Sequence, residues 1–314
     1  MEAPAVVNKP TKFQKLRKRV WHDRQLILIG LPGAICLFIF AYIPMFGIVT
    51  AFQDYSFRKG ILGSKWVGVK YFQQFFSSMF FVRVVRNTLA LSVLSLVFGM
   101  IFTIVFALML NEVKDGLMKR FVQTCSYLPH FVSTVVVVGL MAVMLEPKSG
   151  IVNLTLQRIF NIAPIQFFDN QNWFRPLYVV SGLWQDIGWG SIIYLGAISA
   201  IDPQLYEAAI MDGCSRMKKI WYIVLPCIQP VIMTLLLLSI GGLLNVGYQK
   251  ILLMYSPGIY ETSDVISTYV YRRGIGSAEF GFGSAVGLFN SVFNLFLLFV
   301  ANYGSKKLTE EYLF

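Results

Sequence analysis

Six long apolar stretches, with one carboxylate among them, fix what this chain can fold into. They run from Gln25 to Phe52, Asn87 to Asn111, Phe121 to Leu145, Leu177 to Ala200, Ile228 to Tyr248 and Gly283 to Tyr303, and only the fourth holds a charged group, Asp186. A helix rises about 1.5 Å per residue and the hydrocarbon of a bilayer is about 30 Å thick, so about twenty uncharged residues make one span. Each stretch is that long. Lipid offers the backbone no hydrogen-bond partner, which favours helices. The expected fold class is therefore an all-α membrane protein with six transmembrane helices. Composition agrees: at 56% hydrophobic and 14% charged, with a mean hydropathy of +0.63, the chain is too apolar for a soluble domain of 314 residues.

An even number of spans puts both termini on one side. Lys9, Lys12, Lys15, Arg17, Lys18, Arg19 and Arg24 precede the first stretch, and by the positive-inside rule they make that side, with the N and C termini, cytoplasmic. The segments 112–120 and 201–227 then face the cytoplasm, and 53–86, 146–176 and 249–282 face outward. The first stretch is too long, and lacks the small-residue exit, for a cleaved signal peptide. The net charge of +11 falls between apolar runs rather than on one patch, which argues for membrane flanks and against nucleic acid. Val67 to Val85, rich in phenylalanine, reads equally as a helix lying in the interface or as a plain re-entrant connection. Pro32, Pro44 and Pro129 are expected to kink their helices. Cys36, Cys125, Cys214 and Cys227 have no paired spacing, and His22 and His130 no acidic neighbour in sequence, so neither a metal centre nor a catalytic triad is expected.

The segment 201–230 reads IDPQLYEAAIMDGCSRMKKIWYIVLPCIQP. Asp202 suits an N-cap, Pro203 the first helical position and Gly213 a left-handed stop, giving a helix of about ten residues. Ser215 can cap a second short helix that carries Arg216, Lys218 and Lys219 back to the membrane, which Pro226 marks. By three-and-four spacing Leu205, Ala208, Ala209 and Asp212 share a face, where the two alanines would let a partner's backbone approach closely.

Glu207-Ala208-Ala209, Asp212-Gly213 and Leu225-Pro226, at this spacing between the fourth and fifth spans, resemble the EAA loop of ABC-importer permeases. Leu31-Pro32-Gly33, Tyr42-Ile43-Pro44-Met45, Arg86-Asn87-Thr88, Tyr127-Leu128-Pro129-His130-Phe131 and Gly188-Trp189 are similar to the carbohydrate branch that handles complex oligosaccharides and polysaccharide fragments. Cys214 stands where that branch usually has alanine. The resemblance implies type I importer architecture and an ATPase-coupling role for Glu207, Ala208, Ala209, Asp212, Gly213, Leu225 and Pro226. It further implies a second homologous permease, expected to be a different chain, two nucleotide-binding ATPase subunits and an extracytoplasmic solute-binding protein. Residues 1–24 form a basic tail, 25–303 the permease domain with its coupling loop 201–227, and 304–314 a cytoplasmic C-terminal tail. No phosphate-cradling G-x-x-x-x-G-K-[ST] occurs, Gly60 to Lys65 having the wrong spacing, so the chain is expected to hold no cofactor, with ATP and Mg bound by the partner ATPase.

Sugar sites combine aromatic faces with amide or carboxylate partners. The fourth span offers Trp184, Gln185, Asp186, Trp189 and Tyr194; Asp186 is expected near its outer third, where substrate contact and a structural hydrogen bond or ion pair explain it equally well, and Asn245, Tyr248, Asn290 and Asn294 are further candidates for the substrate path. Interhelical bonding explains the asparagines equally well. Two other classes fit the sequence less well. An ion-coupled secondary transporter would carry several ionisable groups within its spans, and a lipid-linked glycosyltransferase would need an acidic cluster that Asp202, Asp212, Glu261 and Asp264 do not make.

Overall fold

The computed structural model describes residues 21–309. Lys9 to Arg19 of the basic tail, and the last five residues of the C-terminal tail, lie outside them. Helices dominate; the one sheet is a two-residue antiparallel pair, β1 (Gln53–Asp54) and β2 (Lys65–Trp66), with Gln53 opposite Trp66.

Among the described residues four helices are long and apolar enough to cross a membrane: α1 (Arg24–Phe52), α3 (Phe81–Glu112), α9 (Arg216–Gly241) and α12 (Phe280–Lys307 by this measure, helical to Thr309). A fifth candidate is a broken pair, α4 (Leu117–Phe131) and α5 (Thr134–Met144), which meet at 102°. Between these lie α2 (Lys70–Phe76), α6 (Ile151–Phe160), α7 (Gln171–Ser199) and α8 (Pro203–Met211), and, after α9, α10 (Tyr248–Met254) and α11 (Ile266–Val270). At 29 residues α7 is about 43 Å long, enough to cross, but Arg175, Gln185 and Asp186 make it more polar than the rest.

Several boundaries differ from those hydropathy predicts. The interfacial helix expected over Val67 to Val85 is only α2, because the chain turns at Ser77–Phe80 and α3 already begins at Phe81. The third stretch is not one straight span. Pro129 sits in a tight turn at Leu128–Phe131, Val132 is extended, and Ser133 caps the new helix by accepting the Val136 N–H. The fifth helix starts twelve residues before Ile228 and stops at Gly241, so Tyr248 opens a separate helix. The sixth runs on past Tyr303, into what was expected to be tail.

Helices α3 and α7 form the central pair, with α4, α9 and α10 packed against α7. Close approach of α4 depends on Gly188: a Cβ there would stand 2.1 Å from the Ser126 carbonyl oxygen. Near the start of α3, Asp264 is fully buried and accepts two bonds from Arg272 (2.9 and 3.1 Å) and one from Arg83. Asn87, also fully buried, donates to the carbonyls of Glu261 and Asp264 and accepts from Arg175 of α7. These bonds clamp α3, α7 and the segment before α11 together. Arg86 holds the exposed Glu261 carboxyl below its ordinary range by hydrogen bonding to it. At the other end of α3, Glu112 meets Arg216 at 4.0 Å, so the clamp and the 201–227 loop lie at opposite ends of the fold.

Candidate functional site

The loop folds as its local chemistry dictates. Asp202 accepts the Gln204 N–H at 2.9 Å, Pro203 occupies the first turn of α8, and Gly213 has φ +69°. Cys214 N–H reaches back to the Ala209 carbonyl and Gly213 N–H to that of Ile210, the paired bonds of a Schellman stop. Ser215 accepts from the Lys218 N–H and starts α9. Glu207, Ala208, Asp212, Gly213 and Pro226 are exposed, and Met211 is 87% exposed at the tip. Ala209 is not. Successive helical positions are about 100° apart, and Ala209 turns inward, buried against the fold, so the free face is carried by Leu205, Ala208, Ile210 and Met211 instead. Tyr206 and Leu225 pack on a buried cluster of Ala107, Tyr194, Ile198, Val224 and Ile228. The loop is thus seated on α3, α7 and α9 at once.

Above that cluster the helices part around a cavity of about 740 Å³, lined among others by Ser95, Thr103, Tyr178, Gln185, Asp186 and Tyr248. A second cavity of about 440 Å³ shares Ser95, Gly99, Thr103 and Tyr178 with it and adds Asn245. On α3 the common wall is a stripe of small residues, Ser95, Gly99 and Thr103, four apart and so on one face. The hydroxyls of Ser92 and Ser95 are buried without a hydrogen-bond partner among the described residues, as expected of a wall that hydrates or receives another molecule's hydroxyls.

The bend between α4 and α5 supplies one side of the larger cavity. Gln185 donates to the Val132 carbonyl at 2.9 Å, taking up a backbone acceptor that the break frees. His130, at the bend, bonds Asp186 through Nδ1 at 2.9 Å and lies flat on Trp189, with ring centroids 4.7 Å apart. Asp186 sits midway along α7 rather than in its outer third, and His130, unremarkable in sequence, is its partner. Only the two polar positions inside adjacent apolar stretches signalled that pair.

The remaining candidates divide. Tyr248 lines the cavity and stacks on Tyr271. Trp184 faces a separate apolar cavity of about 370 Å³ beside Val137 and Leu140, and Tyr194 is buried in the cluster under the loop with an edge on the second cavity. Asn290 and Asn294 both donate to Asn245 Oδ1, at 2.9 and 3.4 Å, and Asn294 also accepts the Leu244 N–H. These three amides tie the end of α9 to α12, which is the interhelical reading. Sequence reasoning missed Lys250 altogether. It lies two residues into α10, outside the long apolar stretches, and its ammonium enters the cavity wall 3.4 Å from the Tyr178 carbonyl. Burial pushes it down to about 8, against the opposing pull of Asp186. Among the described residues no group of three or more His, Cys, Asp or Glu side chains could hold a metal ion.

Known proteins are similar to this chain over nearly its whole length. The chain is 44% identical over 307 residues to the polygalacturonan/rhamnogalacturonan transport system permease protein YteP of Bacillus subtilis, covering 98% of this chain and 95% of that one. It is 41% identical to protein LplB of the same organism over 93% and 92% of the two lengths. A solved bacterial ABC transporter involved in import of the acidic polysaccharide alginate superposes with a TM-score of 0.86 at 42% identity, over 94% of this chain and 99% of that one. A second structure of a bacterial alginate ABC transporter, in complex with a periplasmic protein bound to an alginate pentasaccharide, gives 0.87 at 41% identity over 95% and 100%. The family model described as "Binding-protein-dependent transport system inner membrane component" matches residues 95–310. With that match and these near full-length relatives, the chain belongs to the family of inner membrane components of binding-protein-dependent transport systems.

Proposed function

We propose that this chain is the transmembrane permease subunit of an ATP-driven importer, and that a saccharide delivered by an extracytoplasmic binding protein passes through the cavity beside α3 and α7. The observation that carries the reading is the stacking of two parts: a cavity with hydroxyl, amide and aromatic walls, and beneath it a capped, exposed helix fixed to the same helices that wall the cavity. The relatives' cargoes, polygalacturonan, rhamnogalacturonan and alginate, favour a polysaccharide fragment as the substrate.

In this reading α7 is the fourth of six spans, its polar side turned to the cavity rather than to lipid, and both termini and the 201–227 loop are cytoplasmic. Residues 25–303 act as one transmembrane domain with 1–24 and 304–314 as tails. A second, different permease completes the path. Two ATPase subunits bind ATP and Mg, and one of them receives the tip formed by Glu207, Ala208, Asp212 and Gly213, with Leu225 and the buried Ala209 anchoring it and Pro226 at its root. Closure of the ATPase pair moves the loop, and the cluster of Ala107, Tyr194 and Val224 passes that motion to α3, α7 and α9, opening the cavity to one side or the other. This chain makes and breaks no covalent bond.

The coupling role is tested by placing a photoreactive residue at the tip. Met211→p-benzoylphenylalanine in the assembled complex should cross-link to the ATPase on illumination, and the same residue at Met144, at the end of α5, should not. Cross-linking from Met144 alone would place the ATPase elsewhere. One observation favours a second reading: His130 and Asp186 form a hydrogen-bonded imidazole–carboxylate pair inside the helices, and an ion-coupled carrier needs ionisable groups there. Uptake that survives loss of the ATPase and collapses with an uncoupler would select it.

A further inference from the structure

We propose that Lys250 reads the carboxylate of an acidic sugar unit, making the cavity selective for uronate-containing oligosaccharides. The inference rests on the saccharide reading above and adds the group that sets charge preference.

Lys250 is 8% exposed, yet it has no ion-pair partner among the described residues. Asp186, the one carboxylate on the wall of the larger cavity, bonds His130 instead. An ammonium offers three N–H donors. Here one meets the Tyr178 carbonyl at a long 3.4 Å, and the charge also lies 5.1 Å from the Tyr178 ring. Gly182 leaves the approach open: a Cβ there would already stand 3.7 Å from Nζ. Burying a charge without a counter-ion is unfavourable, and buried lysines are normally paired. A structural role would have been served by methionine or leucine at no such cost. An incoming carboxylate supplies the missing partner, restores the charged form that burial disfavours, and gains most in a site where water is largely excluded. Neighbouring hydroxyl and amide groups, Ser95, Thr103 and Gln185, remain for the hydroxyls of the same sugar.

The test uses the assembled complex in detergent without the binding protein, so that the receptor's own preference does not enter. Binding of a trigalacturonate and of its carboxyl-reduced, neutral counterpart is read by saturation-transfer NMR. Wild-type complex should bind the acidic trisaccharide about tenfold or more tightly than the neutral one. Lys250→Met should remove that preference, leave the neutral sugar within about twofold, and keep or raise the unfolding temperature, since it removes an unpaired buried charge. Lys250→Arg should keep the preference. Equal loss for both sugars, or a lowered unfolding temperature with both lost, would mean that Lys250 is structural and would overturn the inference. An unchanged preference in Lys250→Met would overturn it also, while leaving the transport reading intact. If wild-type complex bound neither sugar, the saccharide reading itself would fall, and this inference with it.

Discussion

Replacing Gly213 with valine isolates the loop from the rest of the fold. At φ +69° an L-residue is disfavoured by about 1–2 kcal/mol, valine at the upper end because it is β-branched. Nothing lies within 4 Å of the position a Cβ would take, so no clash adds to this. The alternative, unwinding the turn, gives up the bonds from Gly213 and Cys214 to Ile210 and Ala209, each contributing about 0.5–1.5 kcal/mol. Unwinding therefore costs about 1–3 kcal/mol and strain about 1–2 kcal/mol, so the cheaper route sets a penalty of about 1–2 kcal/mol, and it falls on the tip rather than on the packed helices. If the tip seats in the ATPase, that penalty weakens docking about 5–30-fold. Purified complex bearing Gly213→Val should therefore require correspondingly more ATPase for half-maximal reassembly and should lose the ATP hydrolysis stimulated by loaded binding protein, with the permease's own unfolding temperature unchanged. Gly213→Asn serves as the control, because asparagine tolerates the left-handed region, and it should behave nearly as wild type. A valine variant that docks and hydrolyses normally would refute the coupling role.

Other perturbations test the parts around it. Gly188→Ala would force a methyl to within 2.1 Å of the Ser126 carbonyl oxygen, so α4 must move off α7. Overpacking of this kind costs about 1–3 kcal/mol. The shift should also loosen the 2.9 Å His130–Asp186 bond, visible as a change in the ring chemical shifts of His130 by NMR; an unchanged unfolding temperature with unchanged His130 ring shifts would contradict the packing described. Asp264→Asn leaves Arg272 and Arg83 facing an amide. Losing one partner of a buried pair costs about 3–5 kcal/mol, and the partial solvation of both arginines points to the lower end. Thermal unfolding of the complex should show it as a drop of several degrees, and a drop of less than one degree would mean that the clamp contributes little.

The loop was legible in sequence because its signals are local. Asp202, Pro203, Gly213 and Ser215 each act within four residues of themselves, and each does in the structure what its chemistry suggests. Long apolar runs likewise marked where the helices lie. What could not be read depends on partners far along the chain. Pro129 announced a kink, but a 102° break also needs Gln185 to take the Val132 carbonyl and Gly188 to admit Ser126. His130 looked isolated because Asp186 is 56 residues away. Lys250 escaped notice for a different reason: hydropathy closed the fifth stretch at Tyr248, whereas α9 ends at Gly241 and the chain turns back to line the cavity. Ala209 was placed on the docking face by spacing alone, which is blind to what the helix rests on.

Reconstitution measures whether ATP drives uptake. The chain is assembled with its partner permease and ATPase in proteoliposomes, and radiolabelled trigalacturonate is supplied outside on the binding protein. The sugar should accumulate against a gradient in a way that requires ATP inside, disappears when the ATPase is omitted, and is unaffected by a protonophore. Uptake that proceeds without ATP or the ATPase and vanishes with the protonophore would contradict ATP-driven import.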